Sequence, residues 1–281
     1  MGEFPRTRIE NISLSRLVAG TNWFFGYSHT SAARDALIHE TVTPDRMADI
    51  LEVFARAGVD AVYGVRPQRD DFHRAIIEAE NRVGRKVVRI AIPTLNVAAG
   101  DEALGETERI LDDYAAIGTD ICMPHQCTTD ALVDRRARRI ANMETYLAMI
   151  RERGMTPGLS THMPETPIYA DETGLDVAAY VQIYNAAGFL MQIEVDWVHR
   201  MIWQRSKPVI AIKPLAAGRL DPLVGLAFSW ATLRRQDMVC VGTMTADEAR
   251  EVIDISLALL EGRGPEGQLQ TTRSKQSITG D

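Results

Sequence analysis

Short apolar runs alternate with longer amphipathic segments along most of the chain. Segment 43–57 is amphipathic: Met47, Ile50, Leu51 and Phe54 recur on one helical face, after a threonine and a proline that suit a helix start. The glycine that follows can take the left-handed conformation that ends a helix, and an apolar run comes next. The same alternation predicts strands at 15–20, 59–64, 86–94, 119–125, 155–162, 177–185, 208–214 and 237–243, and helices at 43–57, 68–82, 102–117, 138–153, 192–204, 222–235 and 246–260.

Eight strands that alternate with helices predict a parallel sheet, which closes most readily into a (β/α)8 TIM barrel. The length of 281 residues is typical of one such barrel. We expect a single domain over residues 1–261, with a hairpin strand at 9–14 closing the barrel bottom. The segment between the fifth and sixth strands gives the weakest helix pattern. Residues 262–281 are polar and rich in Gly, Ser, Thr and Gln, which predicts a flexible tail.

Charge and cysteine content narrow the function classes. The net charge of −7 argues against a nucleic-acid surface, but it allows an anionic small substrate because a local site can differ in sign. The cysteines form no CxxC pair, so we expect a reducing compartment, with Cys122 and Cys240 buried in apolar runs. The first residues lack the apolar core of a signal peptide, and no apolar stretch approaches the ~20 residues of a membrane span. We therefore expect a cytoplasmic protein with a small-molecule substrate and no membrane or nucleic-acid partner, and a homo-oligomer stays open.

Four segments, in their order along the chain, resemble aldo-keto reductases. Residues 208–253 (PVIAIKPLAAGRL to EAREVI) resemble the last third of that family, where a strand ending in Pro-Leu-x-x-Gly-x-Leu precedes a Leu-Ala-rich helix. The opening ISLSRLVAGTNWFFG resembles the family's first strand and Gly-rich turn, TDICMPHQCTTD its fourth strand, and YVQIYN its sixth. The resemblance covers roughly residues 9–260. It implies an aldo-keto reductase-type barrel, whose members reduce carbonyl groups with hydride from NADPH.

The resemblance also implies a catalytic tetrad of Asp, Tyr, Lys and His, which this sequence carries only in part. His125 ends the fourth strand, as the family's histidine does. Tyr63 stands at the spacing of the family's aspartate, and its Tyr-Gly dipeptide also matches the family's proton donor. The third strand ends in Pro93 and Thr94 rather than in lysine, and Val252 replaces the asparagine that touches adenine. A tyrosine without a neighbouring lysine is a weak acid at neutral pH, because its ordinary pKa is about 10.

Several basic side chains come at predicted strand ends, where the active sites of barrels form. His125, His162 and Lys213 end strands four, five and seven, and His29 lies in the loop after strand one. The functional interpretation is acid–base catalysis or a divalent metal site, and for the lysine also an anion clamp or a Schiff-base amine. The alternative, structural interpretation is that each of these side chains makes one hydrogen bond or ion pair and has no catalytic role. The catalytic candidates are His125, His162, Tyr63 and Lys213, and the metal candidates are His29, His125, His162 and Glu194.

Other positions near the predicted mouth are candidates for binding. Aromatic residues in the first loop can wall a sugar or ring ligand or pack in the core, and an asparagine ends strand six. Backbone N–H groups after strand eight precede a helix start, which is a natural phosphate site for NADP or a sugar phosphate. The substrate-binding candidates are His29, Asn185, Trp23 and Tyr27, and the cofactor-binding candidates are Gly242, Thr243 and Thr245.

The incomplete tetrad favours a lyase or isomerase that applies His-centred acid–base chemistry, with or without a metal, to a sugar-like molecule. An NADPH-dependent reductase with Tyr63 as the proton donor is the alternative, and a non-catalytic binding subunit is a third. We expect His125→Ala to keep the fold and lose most activity. Gln126 and Thr128 are the expected partners that fix the tautomer of the His125 ring.

Overall fold

The computed structural model describes residues 3–264. Positions 265–281, which make up most of the predicted tail, lie outside the described residues. Within 3–264, no helix is both long and apolar enough to cross a membrane.

The chain begins with an antiparallel hairpin of β1 (Arg6–Ile9) and β2 (Ile12–Ser15). The following strands are β3 (Leu17–Gly20), β4 (Ala61–Val65), β5 (Val88–Ala91), β6 (Ile121–Cys122), β7 (Val133–Asp134), β8 (Arg139–Ile140), β9 (Thr156–Pro157), β10 (Leu159–Thr161), β11 (Tyr180–Ile183), β12 (Val209–Ile212) and β13 (Met238–Val241). The helices are α1 (Ala32–Thr41), α2 (Pro44–Arg56), α3 (Asp70–Val83), α4 (Asp101–Ala116), α5 (Gln126–Thr129), α6 (Met143–Glu152), α7 (Thr166–Glu172), α8 (Val195–Gln204), α9 (Pro222–Thr232) and α10 (Ala246–Leu260).

Nine of these strands form one parallel sheet, in the order β10-β11-β12-β13-β3-β4-β5-β6-β9. β9 and β10 are two pieces of the fifth barrel strand, separated only by Gly158, so the sheet closes on itself with eight strand positions. The Gly158 N–H bonds to the Cys122 carbonyl on one side, and the next N–H, of Leu159, bonds to the Ala179 carbonyl on the other. The predicted (β/α)8 barrel is therefore confirmed.

Two apolar layers hold the barrel together. Alternate strand residues point inward, such as Val181 and Ile183, while their neighbours, such as Tyr180, pack outward against the helices. Ile9 and Leu14 of the hairpin are fully buried in the inner layer, so the hairpin closes the barrel bottom as the sequence predicts.

A buried carboxylate ties that hairpin to the barrel. Asp60, which precedes β4, accepts hydrogen bonds from the Ser15 N–H (3.0 Å) and the Arg6 guanidinium (2.7 Å). These two donors stabilise the negative charge of the carboxylate, which would be unfavourable if it were buried without partners. Asp60 thus has a structural role at the end of the barrel opposite the mouth.

The predicted helices compare with the structure at three points of interest. The predicted helix at 138–153 is only α6 (Met143–Glu152), because residues 139–140 pair with β7 in a small hairpin. Helix α1 was not predicted, since it buries little but Ile38 and so lacks a clear apolar stripe. The weak segment after the fifth strand contains the short helix α7.

The cysteines agree with the sequence expectation. Cys122 and Cys240 are buried, Cys127 is exposed, and none of the three is in a disulfide. The two buried thiols act as small apolar groups of the barrel wall.

Candidate active site at the barrel mouth

Parallel strands bring their carboxyl ends to one rim of the barrel, and the predicted basic residues meet there. Lys213 follows β12, His125 follows β6, His162 follows β10, and His29 lies in the loop after β3. The positive charge of Lys213 lowers the pKa of all three imidazoles after the larger effect of burial, which shows that the four side chains share one electrostatic environment. The structure thus brings together the residues that the sequence placed at the mouth.

Tyr63 forms the floor of this mouth. It points into the barrel from β4, and its hydroxyl lies 3.2 Å from the Ser160 hydroxyl on the opposite side of the ring. Burial raises the pKa of the Tyr63 phenol, and only the hydrogen bond to Ser160 opposes that rise. Neither lysine nor aspartate bonds to the phenol within residues 3–264, so the tyrosine is a poorer acid than a free phenol.

Lys213 and His29 form a contact across the mouth. The Lys213 ammonium lies 3.1 Å from Nε2 of His29, and the Asn22 side-chain amide also lies 3.2 Å from that nitrogen. Since both neighbours are donors, Nε2 is an acceptor and the proton of the neutral ring is on Nδ1. His29 and Lys213 both have positive φ, 58° and 60°, a conformation that side-chain-bearing residues rarely adopt.

His125 is fixed by the turn that it begins. Its Nδ1 accepts the Cys127 N–H at 3.3 Å, as the N-cap of α5. The predicted partners were wrong: the Thr128 hydroxyl instead accepts the Leu95 N–H, and Gln126 bonds to the Cys127 sulfur. Burial lowers the pKa of His125, helped by Arg66 and Lys213, so the ring is neutral near pH 7.

His162 is held by its backbone rather than by its ring. Its N–H donates to Oδ2 of Asp130 at 3.0 Å, and the Thr161 hydroxyl donates to the other carboxylate oxygen. Burial lowers the pKa of the His162 ring to about 4, with further contributions from Lys213, His125 and His29. The imidazole is therefore neutral and available as a base or hydrogen-bonding group.

The metal hypothesis does not fit this geometry. Residues 3–264 contain no group of three or more His, Cys, Asp or Glu side chains placed to hold one ion. Glu194 is exposed on the loop before α8, where it precedes the helix as its N-cap residue. The three mouth histidines share an electrostatic field without converging as ligands.

A cavity of about 340 Å³ opens beside these groups. One end is lined by Tyr63, Lys213 and His29, and Trp23 and Tyr27 form part of a wall, as the sequence suggested. The cavity runs between the loops after β3, β12 and β13 toward α10. His125 and His162 lie outside its lining. The far end is lined by Gly242, Thr243, Glu248, Glu251 and Val252.

The far end carries an unsatisfied hydroxyl and an unpaired cation. Oγ1 of Thr243 is buried without a hydrogen-bond partner in the described part of the chain. The Arg34 guanidinium stacks over the Trp23 ring at 5.4 Å and lies 3.7 Å from the Met244 sulfur, and no carboxylate among residues 3–264 pairs with it. The sequence did not identify Arg34, because it stands on the helix that the apolar pattern missed.

At the predicted phosphate site after β13, backbone N–H groups are already hydrogen-bonded to side chains of the same segment. The Met244 N–H donates to Oε2 of Glu248 at 2.6 Å, and the Glu248 N–H donates to the Thr245 hydroxyl at 3.1 Å. Thr245 is thus the helix cap and does not line the cavity, whereas Gly242 and Thr243 do. A threonine three residues before a glutamate is a capping-box pattern, so the sequence contained the signal for this outcome.

Asn185 does not face the cavity. It is fully buried, and its side chain accepts the Phe189 N–H (2.8 Å) and donates to the Phe189 carbonyl (3.0 Å). Both ends of the amide are therefore satisfied by the loop after β11, and the residue fixes that loop instead of contacting a ligand at the mouth.

No protein-family model and no curated protein matches this chain. Solved structures do: a protein described as an aldo-keto reductase from Pseudomonas aeruginosa has 16% sequence identity and a TM-score of 0.65, over 91% of this chain and 94% of that one. An aldo/keto reductase from Klebsiella pneumoniae, in complex with NADP and acetate, has 15% identity and a TM-score of 0.51, over 99% and 94%. A truncated 3-deoxy-D-arabino-heptulosonate 7-phosphate synthase from Thermotoga maritima has 10% identity and a TM-score of 0.55, over 92% and 93%. The chain therefore has a (β/α)8 barrel of the aldo-keto reductase type, and at these identities the likeness establishes the fold alone.

Proposed function

We propose that this chain is an enzyme, an oxidoreductase that binds a nicotinamide dinucleotide in the cavity and reduces a small anionic carbonyl compound at the mouth. The observation that carries the proposal is the course of the cavity, from Tyr63 and Lys213 to Glu251 and Val252 on α10. Val252 stands where the resemblance places an adenine contact, and the bound NADP of the Klebsiella neighbour agrees with a ligand of this class.

The residues at the far end fit the dinucleotide that lacks a 2′-phosphate. The Arg34 guanidinium is available to the pyrophosphate oxygens, and Thr243 lines the same end of the cavity. A 2′-phosphate beside α10 would instead meet the carboxylates of Glu248 and Glu251, and the Met244 N–H is already taken. Because like charges repel, we expect NADH to bind more tightly than NADPH.

The basic mouth supports an anionic substrate. Lys213 and the three histidines make no ion pair with a carboxylate within residues 3–264, and the Arg66 charge also acts on His125. A carboxylate or phosphate group on the substrate would supply the missing negative charge. A local field of this kind attracts anions even though the chain as a whole carries a net charge of −7.

The protonating group in this proposal is Lys213 rather than Tyr63. When bound, a reduced nicotinamide supplies hydride to a carbonyl carbon. Burial lowers the pKa of the Lys213 ammonium, which makes it the better acid, whereas burial raises the pKa of Tyr63. The Lys213 ammonium can therefore hold a carbonyl oxygen and pass a proton to it, and Nε2 of His29 accepts a hydrogen bond from the same ammonium and orients it.

Titration with NADH and with NADPH, followed by tryptophan fluorescence, tests the proposal. Trp23 lines the cavity, so a bound dinucleotide should quench its emission, and Trp23→Phe should remove that part of the signal. We expect NADH to bind at least about tenfold more tightly, a difference of about 1.4 kcal/mol. Glu251→Gln should narrow the difference, while Glu144→Gln on α6, remote from the cavity lining, is the matched control. Absence of binding by either dinucleotide contradicts the proposal.

A cofactor-independent lyase or isomerase is the second candidate. The observation that favours it is the set of neutral imidazoles at the mouth, His125 and His162, which lie outside the cavity lining but share the field of Lys213. Neutral histidines suit proton abstraction next to a carbonyl group. Isomerisation or cleavage of a sugar acid without any dinucleotide would support this candidate. A protein that neither binds a dinucleotide nor turns over carbonyl compounds would favour a binding subunit.

A further inference from the structure

We propose that the side-chain amine of Lys213 captures small carbonyl compounds as a Schiff base at the mouth of the barrel. This inference goes beyond the proposed function, and it does not depend on whether the cavity binds a dinucleotide. It rests on the position of the lysine, on its surroundings, and on the contact with His29.

The position leaves the amine partly buried and open to a ligand that enters the cavity. Lys213 lines the cavity and is half-buried, with Ile212, Pro214 and Leu215 around its backbone and Cys240 on the neighbouring strand β13. It follows the buried strand β12 directly, and its left-handed backbone turns away from that strand. A lysine placed between apolar walls and an open cavity can meet a carbonyl carbon that enters from the mouth.

The surroundings make the Lys213 ammonium easier to deprotonate than a free lysine. No carboxylate pairs with Lys213 among residues 3–264, and burial lowers its pKa, with only the nearby Cys240 thiol acting in the opposite direction. The groups that face it are His29 from the loop after β3, Tyr63 from β4 and Cys240 from β13, and His162 feels its charge from β10. None of these groups is an anion near pH 7, since the pKa values of both Tyr63 and Cys240 are raised by burial.

The contact with His29 supplies a proton path. Nε2 of His29 is an acceptor, 3.1 Å from the lysine nitrogen, so it can take the proton that leaves the ammonium. The neutral amine then attacks the carbonyl carbon, a C–N bond forms as the C=O π bond breaks, and a proton moves from the attacking nitrogen to the carbonyl oxygen. The imidazolium of His29 returns its proton as that oxygen leaves as water. One carbonyl and one ammonium give one protonated imine and one water, with no oxidant or reductant consumed.

Reductive trapping tests the inference on the unmodified protein. Glyoxylate, a small carbonyl compound with a carboxylate, is incubated with the protein at pH 7 together with cyanoborohydride, and labelled peptides are identified by mass spectrometry. We expect carboxymethyl-lysine to form at Lys213 at least about ten times faster than at Lys86 and Lys207, because Lys213 has both a lowered pKa and the His29 acceptor beside its amine. Lys86 is exposed and Lys207 lies within 3.4 Å of Asp171, so the two serve as internal controls.

Two variants separate the chemistry from simple access. His29→Gln keeps a polar side chain on the loop and removes the proton acceptor, so labelling of Lys213 should slow while labelling of Lys86 is unchanged. Lys213→Met should abolish the fast labelling phase altogether. Equal labelling rates at the three lysines, or a fast phase that survives in Lys213→Met, would overturn the inference. Failure of dinucleotide binding leaves the trapping result standing, so the two proposals fail separately.

Discussion

The two ring nitrogens of His125 have different tasks. Nδ1 accepts the Cys127 N–H and so caps the first turn of α5, which places Nε2 at the mouth with no partner in the described chain. A cap of this kind is worth about 1 kcal/mol. The sequence identified His125 from its strand end and its family resemblance, but not its cap, because the partner is a backbone group.

We expect His125→Ala and His125→Asn to differ in stability and to agree in activity. Asparagine is a good helix cap and can accept the Cys127 N–H, so the melting temperature of His125→Asn should stay close to that of the wild type. The free energy of unfolding of His125→Ala should fall by about 1 kcal/mol. Both variants lack the imidazole that the lyase or isomerase candidate uses for proton transfer, so both should lose ~10²–10⁴-fold in that activity.

Melting temperature and turnover should be measured on the same preparations of the two variants. If the asparagine variant recovered full turnover together with its stability, His125 would be a structural residue only. Full turnover in both variants would make it a bystander.

Lys213 and His29 show which part of the site the sequence could predict. The position of Lys213 at a strand end and that of His29 in the loop after the first strand were readable, because the apolar runs fix where each strand stops. Their contact was not, since it joins residues 184 positions apart through two left-handed backbone conformations that no local pattern announces. Arg34 was missed for a related reason, because its helix has only a weak apolar face.

At the scale of elements, the closure of the barrel depends on Gly158. A Cβ atom at this position would lie 2.8 Å from the Ala179 carbonyl oxygen and would also overlap the Met123 side chain. The glycine therefore lets the fifth strand pass close to both neighbours, β6 and β11, at the point where it changes from β9 to β10.

We expect Gly158→Ala to destabilise the protein by about 1–3 kcal/mol, the usual cost of overpacking a core. Gly105→Ala is the matched control: that glycine lies inside α4 with nothing within 4 Å of an added Cβ. The control should gain roughly 0.5–1 kcal/mol, because alanine is the better helix former. Thermal unfolding of the two variants measures both changes, and a neutral Gly158→Ala would mean that the closure tolerates a side chain.

Most helices and strands could be predicted because their apolar residues recur with the period of that kind of element. Segments such as α2 and α3 show a strong helical stripe, and each barrel strand is an apolar run. The residues between β6 and α6 behaved differently, because their apolar positions pair across a short hairpin rather than along a helix. A periodic pattern cannot distinguish those two uses when the segment is short and charged.

At the scale of the whole molecule, the charge of the site opposes the charge of the chain. The net charge is −7, yet the mouth gathers Lys213 and three histidines without a paired carboxylate in residues 3–264. Composition could not reveal this, because it sums over the surface and the site depends on where the fold directs each side chain. Because these groups are partly buried and lie near one another, the imidazoles stay neutral.

The lowered pKa values of the mouth histidines predict how the stability of the protein depends on pH. In the folded protein the pKa of His162 is about 4, lowered mainly by burial, against an ordinary value of 6.5. Between those values the unfolded chain binds more protons, so the free energy of unfolding rises with pH. The contribution of His162 is fully present above about pH 6.5 and is lost as the pH falls toward 4, with a slope of up to about 1.4 kcal/mol per pH unit for one proton. His29 and His125, whose pKa values are also lowered, add to the same slope.

Urea unfolding at pH 6.5, 6.0, 5.5 and 5.0 measures this slope above the range where most carboxylates titrate. We expect His162→Gln to flatten it, because the variant has no proton to take up on unfolding at that position. His199→Gln is the control, since His199 lies on α8 against Trp203 and away from the mouth. The His199→Gln control should show the same slope of stability against pH as the wild type. A slope unchanged in His162→Gln would mean that this imidazole is protonated in the folded protein, and the mouth would then be more solvated and more strongly cationic than its burial implies.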